Sequence, residues 1–260
     1  MKKSILSAFL AGLTTLAASA LPVVSTPPDP ETFRPTVKVG LVKDFSLKNA
    51  MDSKLWNQVP KYNLMHYVTE LAHINKIPAE GAYVRYLCSD TEFFVRVDMV
   101  DSDVMTGATQ DQDHHYIQGD VLEVFIKPAN DSYYWEIYGI PNKHYTRFYF
   151  PSKGTLSMPS GFGPTDVKIG VDSRIYGTFN KYDDRDKGWS VVIAIPRKEL
   201  EKNGCKFDPQ NKWTVLAARY NYSVHLPLHE LSSYPQITGG YHSTQYYANI
   251  EFVNINKEEK

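Results

Sequence analysis

Hydrophobic and polar residues alternate along much of the chain, which is the spacing of a β-strand with one buried face. From Phe93 to Met99 the odd positions are apolar, whereas Arg96 and Asp98 fall on the opposite face. Similar alternation marks four later runs, at 122–126, 191–195, 213–217 and 246–252. Further candidate strands, bounded by Gly, Pro, Asn or Asp, lie at 133–138, 145–150, 167–171 and 174–179. The pattern predicts about ten strands.

Helical signals are confined to two short segments. Asp52 can cap a turn through Ser53 to Asn57, and one or two turns follow Pro196 over residues 197–202. Neither segment is long enough to cover a sheet, so the strands are expected to pack sheet against sheet. The sequence therefore predicts an all-β protein, an antiparallel β-sandwich with minor short helices.

The first twenty residues carry the pattern of an export signal. Two lysines follow Met1, an uncharged apolar run spans Ile5 to Leu16, and Ala18-Ser-Ala20 is a small-residue cleavage pattern. We expect residues 1–20 to be a signal peptide and the mature protein to be secreted or periplasmic. No later segment has the roughly 20 apolar residues that a membrane helix needs.

The rest of the chain divides by composition. Residues 21–36 contain five prolines and are expected to form an extended leader. Residues 37–256 are expected to form one β-sandwich domain, and residues 257–260 a charged C-terminal tail. We expect the mature protein to be a monomer.

Charge and composition limit the classes of binding partner that the protein is expected to have. The formal net charge is -1 and no run of Lys or Arg occurs, which argues against nucleic acid or an anionic membrane as a partner. Eighteen Tyr and four Trp supply flat faces that suit either a large core or a ligand with apolar faces. Cys88 and Cys205 could form a disulfide in an oxidising compartment, and a buried free thiol is the equal alternative for Cys88.

Several short motifs occur in an order that is similar to one known family. They are Asp52-Ser-Lys-Leu-Trp56, residues 93–98 with Asp101, Gly119-Asp-Val-Leu-Glu-Val-Phe125, residues 189–196, Arg219-Tyr-Asn221, Ser232-Ser-Tyr-Pro235 and Tyr241-His242. With the closing strand to Phe252, this order resembles the family 9 carbohydrate-binding modules over nearly the whole mature chain. The resemblance implies a jelly-roll-like sandwich and non-catalytic sugar binding. In such binding, two aromatic rings clamp a sugar while polar side chains hydrogen-bond its hydroxyls.

The resemblance also implies a set of carbohydrate-binding residues. Tyr116 is the aromatic residue nearest the position of the first sugar-clamping ring, although Ile117 is the residue that aligns with it. Tyr241 aligns with the second sugar-clamping ring. Family members that bind sugar chain ends carry Trp at both places. The remaining implied contacts are Glu123, Tyr134, Glu136 and His242. Glu136 stands where the sugar binders have a cationic side chain, so the polarity of hydrogen bonding is expected to differ here.

The four tryptophans are interpreted as packing residues. Trp56, Trp189 and Trp213 begin or join apolar alternating runs. Trp135 lies on the strand face opposite Tyr134 and Glu136, so it belongs to the core if those two face a ligand.

The polar loop between Asp101 and Asp120 is a candidate metal site. Its potential ligands are Asp103, Gln110, Asp111, Asp113, His114 and His115. Calcium prefers such oxygen ligands and the family resemblance implies structural calcium, so calcium is a possible cofactor. The loop lacks the Gly and terminal Glu of an EF-hand, and a solvated loop is the alternative. The adjacent histidines do not have the spacing of a zinc site.

Two other functions remain open. Asp120 and Glu123 could be the carboxylates of a glycan hydrolase or lyase, although residues three apart on a strand point to opposite faces. Haem could be bound by Met99 or Met105 with His114, as in related sandwiches, although Met99 fits the core pattern. The sequence lacks a Gly-x-Ser-x-Gly motif and a phosphate-binding loop.

Overall fold

The computed structural model describes residues 34–43, 45–66, 77–155, 168–237 and 239–255. The predicted signal peptide, the leader up to residue 33 and the predicted C-terminal tail lie outside these described residues. Within the described ranges, no helix is long and apolar enough to span a bilayer.

Strands dominate the described chain. They are β1 (Thr36–Leu41), β2 (Tyr62–Asn63), β3 (Met65–His66), β4 (Ala82–Cys88), β5 (Glu92–Met99), β6 (Val121–Pro128), β7 (Tyr134–Gly139), β8 (Tyr145–Phe150), β9 (Gly170–Ile175), β10 (Trp189–Pro196), β11 (Trp213–Asn221), β12 (Glu230–Tyr234) and β13 (Ala248–Asn254). The helices are α1 (Leu47–Ala50) and α2 (Arg197–Leu200), with 3-10 turns at Lys54–Gln58, His115–Ile117 and Thr244–Tyr246. The all-β prediction is confirmed.

The strands form one mixed sheet rather than an antiparallel sandwich. Their order is β8-β7-β6-β11-β13-β1-β4-β5-β10-β9, with β12 and β3 attached beside β11 and β2 beside β4. β1 runs parallel to both of its neighbours, β13 and β4. The antiparallel prediction was wrong because it assumed that strands pair in parallel only where helices cover the sheet. The chain between Leu41 and Ala82 exceeds the dozen or so residues that a parallel crossover requires.

The sheet curls so that its two halves face each other across a hydrophobic core. Gly139 on β7 lies so close to β10 that a Cβ atom there would come within 2.8 Å of the Ile193 side chain. The apolar positions of β5, β6, β10 and β11 that the alternation singled out are all buried in this core. Face-to-face packing of strands therefore holds, although the strands belong to a single sheet.

Several local predictions need correction. Asp52 does not cap the turn at Lys54–Gln58, since the Ser53 hydroxyl accepts the Leu55 N–H while Asp52 pairs with Arg174. Two strands are predicted at 167–171 and 174–179, of which residue 167 lies outside the described residues. The described part contains the single strand β9 over Gly170–Ile175. Tyr246 ends a 3-10 turn instead of starting the last strand. The sequence predicted about ten strands, whereas the described ranges contain thirteen, including the two-residue strands β2 and β3.

The tryptophans and cysteines are placed by packing. All four tryptophans are buried, and Trp135 points into the main core, as predicted. Both cysteines are free thiols. Cys88 is buried, and that burial raises the pKa of its thiol to about 12.

Candidate functional site

A second hydrophobic cluster lies on the outer face of β6, β7, β8 and β11. On β6, Leu122, Val124 and Ile126 enter the main core, so Val121, Glu123 and Phe125 take the opposite face. The same alternation turns Tyr134, Glu136 and Tyr138 of β7 outward. Loops before β6 and β13 cover this face only in part and leave a cavity of about 370 Å³. A cavity of this size lies within the usual range for small-molecule sites.

Eight rings line the cavity as a closed circuit, with each ring in contact with the next. Neighbouring centroids lie 5.0 to 6.3 Å apart around the sequence His114, Tyr116, Tyr220, Tyr241, Phe125, His242, Phe150, Phe148 and back to His114. We call this set the aromatic collar. Some of its rings, such as Phe125, are almost fully buried. The collar gives the cavity a largely apolar wall.

Two glutamates and a tyrosine form the floor between the collar residues. Glu123 on β6 lies opposite Tyr138 on β7, and Glu136 lies two residues from Tyr138 on the same face. Only 2% of Glu123 and 5% of Glu136 is exposed. The Tyr138 hydroxyl donates a hydrogen bond to Glu136 Oε1 at 2.5 Å. Among the described residues, no Lys or Arg forms an ion pair with either glutamate.

Burial without a cation changes how these carboxyls titrate. Desolvation raises the pKa of Glu123 well above its ordinary range, and the neighbouring Glu136 raises it further. Desolvation also raises the pKa of Glu136, against the hydrogen bond from Tyr138, which lowers it. The pKa of the Tyr138 hydroxyl is itself raised by burial and by the two carboxylates. The floor therefore holds two carboxyls with raised pKa values, an arrangement that is common at functional sites.

His242 closes one side of the cavity and presents a donor to it. The Tyr134 hydroxyl accepts the Gly154 N–H and forms a 2.8 Å hydrogen bond with His242 Nδ1, so the hydroxyl proton is available to that nitrogen. Burial lowers the pKa of His242, which favours the neutral ring. In that tautomer the Nε2–H faces Glu136 Oε2, 3.8 Å away. Tyr134 does not line the cavity but orients this donor from behind.

The loop before β6 carries Tyr116 into the wall. Gly119 has φ 147° and lies so close to Met105 that a Cβ would come within 2.5 Å of its carbonyl oxygen. Asp120 accepts the N–H groups of Met105 and Tyr222, each at 2.8 Å, and the Tyr222 hydroxyl donates to the Tyr116 carbonyl. Tyr116 therefore lines the cavity, whereas Ile117 is 65% exposed.

Tyr241 forms the opposite wall and is also a packing residue. Its ring contacts Phe125 and Tyr220, and its hydroxyl lies 3.3 Å from the carbonyl oxygens of Arg219 and Ser232. The Tyr247 hydroxyl donates to the Tyr241 carbonyl. Only 6% of Tyr241 is exposed. The side chain thus offers one edge to the cavity while anchoring the loop that carries His242.

The structure brings five of the six sequence-predicted residues together around one cavity. Sequence reasoning missed Phe125, Tyr138, Phe148, Phe150 and Tyr220, together with His114. The signal for Phe125 and Tyr138 was present, since each is two residues from a predicted glutamate and so shares its face. Nothing local identifies Phe148, Phe150 or Tyr220, which join the site through strand pairing.

The alternative chemistries find little support in the geometry. Asp120 is buried and both of its oxygens are used by backbone N–H groups, so it does not form a catalytic pair with Glu123. Met99 lies in the main core. His115 is buried with both ring nitrogens hydrogen-bonded, while His114 belongs to the collar, so the two histidines diverge.

In the polar loop, where calcium is the expected cofactor, two carboxylates already accept hydrogen bonds. Asp111 accepts from His144 and from the Tyr145 N–H, and Asp113 accepts from His114 N–H and Gln110. The donors to Asp113 lie within the loop, whereas those to Asp111 lie at the start of β8. No group of three His, Cys, Asp or Glu side chains in the described part of the chain is arranged to hold a metal.

Comparison with known proteins establishes the fold. No family model matches the sequence, and no curated protein sequence matches it. Among solved structures, a proposed carbohydrate-binding protein from Bacteroides uniformis has a TM-score of 0.62 at 12% identity, covering 85% of this chain and 100% of that one.

Two further similar structures belong to a family 9 carbohydrate-binding module from Caldicellulosiruptor kristjanssonii. The complex with cellotriose has a TM-score of 0.54 at 11% identity and covers 88% of this chain and 97% of that one. The complex with glucose has a TM-score of 0.54 at 10% identity and covers 85% and 97%. The chain therefore has the fold of the family 9 modules, which confirms the resemblance at the level of fold.

Proposed function

We propose that the protein binds carbohydrate, without cleaving it, in the cavity bounded by the aromatic collar. The observation that carries this proposal is a closed circuit of rings around buried hydrogen-bonding groups. A pyranose ring has apolar C–H faces and a rim of hydroxyls, so it requires flat apolar walls with polar groups between them. The collar supplies the walls, and Glu123, Glu136 and the His242 Nε2–H supply acceptors and a donor.

The solved structures of similar fold support this proposal. One is a module bound to cellotriose and to glucose, and another is a proposed carbohydrate-binding protein. The collar contains no Trp, unlike the family sites that bind sugar chain ends, so the ligand and its pose need their own test.

The test is a glycan array followed by calorimetric titration of the best ligand. Tyr116→Ala removes one wall ring from the collar while leaving the Tyr116 carbonyl, which accepts the Tyr222 hydroxyl, in place. We expect affinity to fall about tenfold, as loss of one stacking ring implies. Tyr182→Ala is the matched control because Tyr182 is an exposed tyrosine outside the cavity. Equal affinity of Tyr116→Ala and wild type would contradict the proposed site.

A glycan hydrolase is the second candidate, and one observation favours it. Glu123 and Glu136 face the same cavity, and a raised pKa suits a general acid. Incubation of the best ligand with the protein separates the two functions. Binding without new reducing ends supports the module, whereas reducing ends that disappear in Glu136→Gln would support the enzyme.

We infer that the protein acts outside the cytoplasm as a monomer. The support is the export pattern of Met1 to Ala20, which predicts a mature chain that begins near Leu21. Mass spectrometry of the exported protein checks the cleavage site, and light scattering checks the monomer. Exported protein that retains residues 1–20 would contradict the cleavage prediction.

A further inference from the structure

The cavity floor is acidic without a matching cation. Glu123 and Glu136 are both almost fully buried, and the described chain provides neither with a Lys or Arg partner. The other polar groups facing them are the hydroxyls of Tyr138 and Tyr220 and the neutral ring of His242. Buried carboxylates normally have a cation or several N–H donors, because removing their charge from water is costly.

The single phenol of the floor cannot satisfy both acids. Tyr138 has one hydroxyl proton and donates it to Glu136 Oε1. Tyr138 also lowers the pKa of Glu123, but among the described residues its hydroxyl forms a hydrogen bond with Glu136 and not with Glu123. The Glu123 carboxyl can therefore keep a proton of its own or accept from another donor. Without ligand, retained protons neutralise part of the floor. A ligand that brought its own positive charge would take the place of those protons.

The collar favours the same kind of ligand. The faces of Tyr and Phe rings carry partial negative charge and attract ammonium groups, and aromatic cages with acidic residues recognise such cations. The Phe125 ring contacts the rings of Tyr241 and His242. Phe125 also pairs with Glu136 in the register of β6 and β7. Rings and carboxylates therefore surround the same small volume.

Charges around the cavity do not oppose a cation. Lys153 is the lysine whose field acts on His242, and its ammonium is exposed and hydrogen-bonded to Gln245. Exposed charges are screened by solvent and salt, whereas the glutamates are not. The protein as a whole has a net charge of -1, so overall charge does not explain a preference for cations.

We infer that the cavity selects sugars that carry a protonated amine, such as glucosamine oligosaccharides, over neutral and acidic sugars. This inference rests on the proposed carbohydrate binding at the same cavity. The ammonium would lie between Glu123 and Glu136, with the pyranose faces against the collar. A uronic acid would bring a third carboxylate to an acidic floor and should be rejected.

Three disaccharides that differ only at C2 test the inference. Cellobiose carries a hydroxyl there, the fully deacetylated glucosamine disaccharide an ammonium, and N,N′-diacetylchitobiose an uncharged amide. At about pH 7, where an amine with the pKa of an α-amino group is largely protonated, the amine should bind at least tenfold more tightly than cellobiose. Titration in buffers with different ionisation heats should show proton release with the amine and none with cellobiose.

Matched glutamine variants assign the preference to the floor. Glu136→Gln should reduce the ratio of amine to cellobiose affinity about tenfold, because one carboxylate is lost from the ion contact. Glu251→Gln removes an exposed glutamate of β13 with the same chemical change and should leave the ratio as in wild type. Melting curves of each variant confirm that both remain folded.

The outcomes separate failure of this inference from failure of the proposed function. Equal or tighter binding of cellobiose or the diacetyl sugar would overturn the amine preference and leave carbohydrate binding intact. No binding of any sugar on the array would overturn both. An amine preference that Glu136→Gln and Glu251→Gln reduce equally would show nonspecific charge attraction and overturn the assignment to the cavity.

Discussion

Two groups of buried polar side chains differ in how their charges are paired. One lies on the core face of β11 and in nearby loops, and the other lies on the outer face of β6 and β7. Inside the main core, the Arg219 guanidinium donates to Asp101 Oδ2, Asn221 Oδ1 and the Glu80 carbonyl, each within 2.9 Å. Asn221 in turn donates to the Glu80 carboxylate. This network, which we call the arginine cluster, has a cation for its acids, and among its buried atoms Arg219 Nε has no hydrogen-bond partner in the described residues.

The floor of the cavity is the opposite case. Glu123 and Glu136 are as deeply buried as the arginine cluster, yet they have phenol hydroxyls and a neutral imidazole where the cluster has a guanidinium. An acid paired with a buried cation stabilises one structure, whereas acids without a cation beside an open cavity are available to a ligand. This difference in charge pairing is the reason that we propose a binding role for the floor and a structural role for the arginine cluster.

The largest effect should follow from breaking the arginine cluster. Arg219→Met leaves Asp101 and Asn221 buried without their donor and should lower the free energy of unfolding by about 3 to 5 kcal/mol. Urea denaturation measures this loss. Arg174→Met, which removes an exposed ion pair with Asp52, is the control and should leave the midpoint unchanged. If Arg219→Met were as stable as wild type, the proposed structural role of the arginine cluster would be wrong.

The second largest effect on stability is expected at Tyr241, which contacts both regions. Its hydroxyl donates to the Arg219 carbonyl, and its ring is part of the collar. Tyr241→Ala should lower the free energy of unfolding by about 3 kcal/mol through the cavity it leaves. Tyr241→Phe loses only long hydrogen bonds and should cost about 1 kcal/mol while keeping sugar affinity. Thermal melts beside calorimetric titrations distinguish the two, and a normal melt of Tyr241→Ala would refute the packing role.

A smaller effect of opposite sign should appear at the cavity floor. Burial raises the pKa of Glu136 from 4.5 to about 7, so between these values the folded protein binds more protons than the unfolded chain. The contribution of Glu136 to the free energy of unfolding is therefore full below about pH 4.5 and falls as the pH rises toward 7. Glu136→Gln cannot ionise and should exceed wild type by about 2 kcal/mol at about pH 7.5.

The stability gain of Glu136→Gln over wild type should shrink as the pH falls to about 5, because Glu136 in the wild type is then largely neutral, like the glutamine of the variant. Urea denaturation of the two proteins at both pH values measures the difference and cancels the titration of groups outside the floor. A variant less stable than wild type at pH 7.5 would mean that the Glu136 charge is met in the folded state.

The smallest effect on stability should come from loss of the Tyr138 hydroxyl. Tyr138→Phe removes the hydrogen bond to Glu136 Oε1, which lowers the pKa of that carboxyl in the wild type. The pKa of Glu136 should therefore rise further, and stability should change by about 1 kcal/mol. Titration of the glutamate carboxyl carbons by NMR measures the shift. A fall in the pKa of Glu136 would show that another donor takes over.

Strand content was predictable because it depends on local alternation. The runs around Val95, Val124, Ile193 and Val215 are strands with those residues in the core. Short strands such as β2 and β3 have two residues each and carry no periodic signal. The parallel pairing of β1 was not predictable, since it joins segments near opposite ends of the chain.

The candidate site was predictable in part. Glu123 and Glu136 could be assigned to one face by alternation once their strands were paired, and Tyr116, Tyr241 and His242 followed from motif order. Whether they bind sugar stays a prediction. The choice of Tyr116 over Ile117 required the loop anchored by Asp120 and Gly119, whose contacts with Met105 and Tyr222 are distant in sequence.

By itself, the sequence determined the strand faces, the burial of the tryptophans and the presence of two acids on neighbouring strands, because side-chain direction alternates with a fixed period along any strand. Only the tertiary structure decided that β1 pairs in parallel, that Phe148 and Tyr220 complete the aromatic collar, and that no Lys or Arg of the described residues pairs with Glu123 or Glu136. These features depend on register and on loop contacts between distant segments. The resulting burial, rather than residue type, is what raises the pKa of both glutamates.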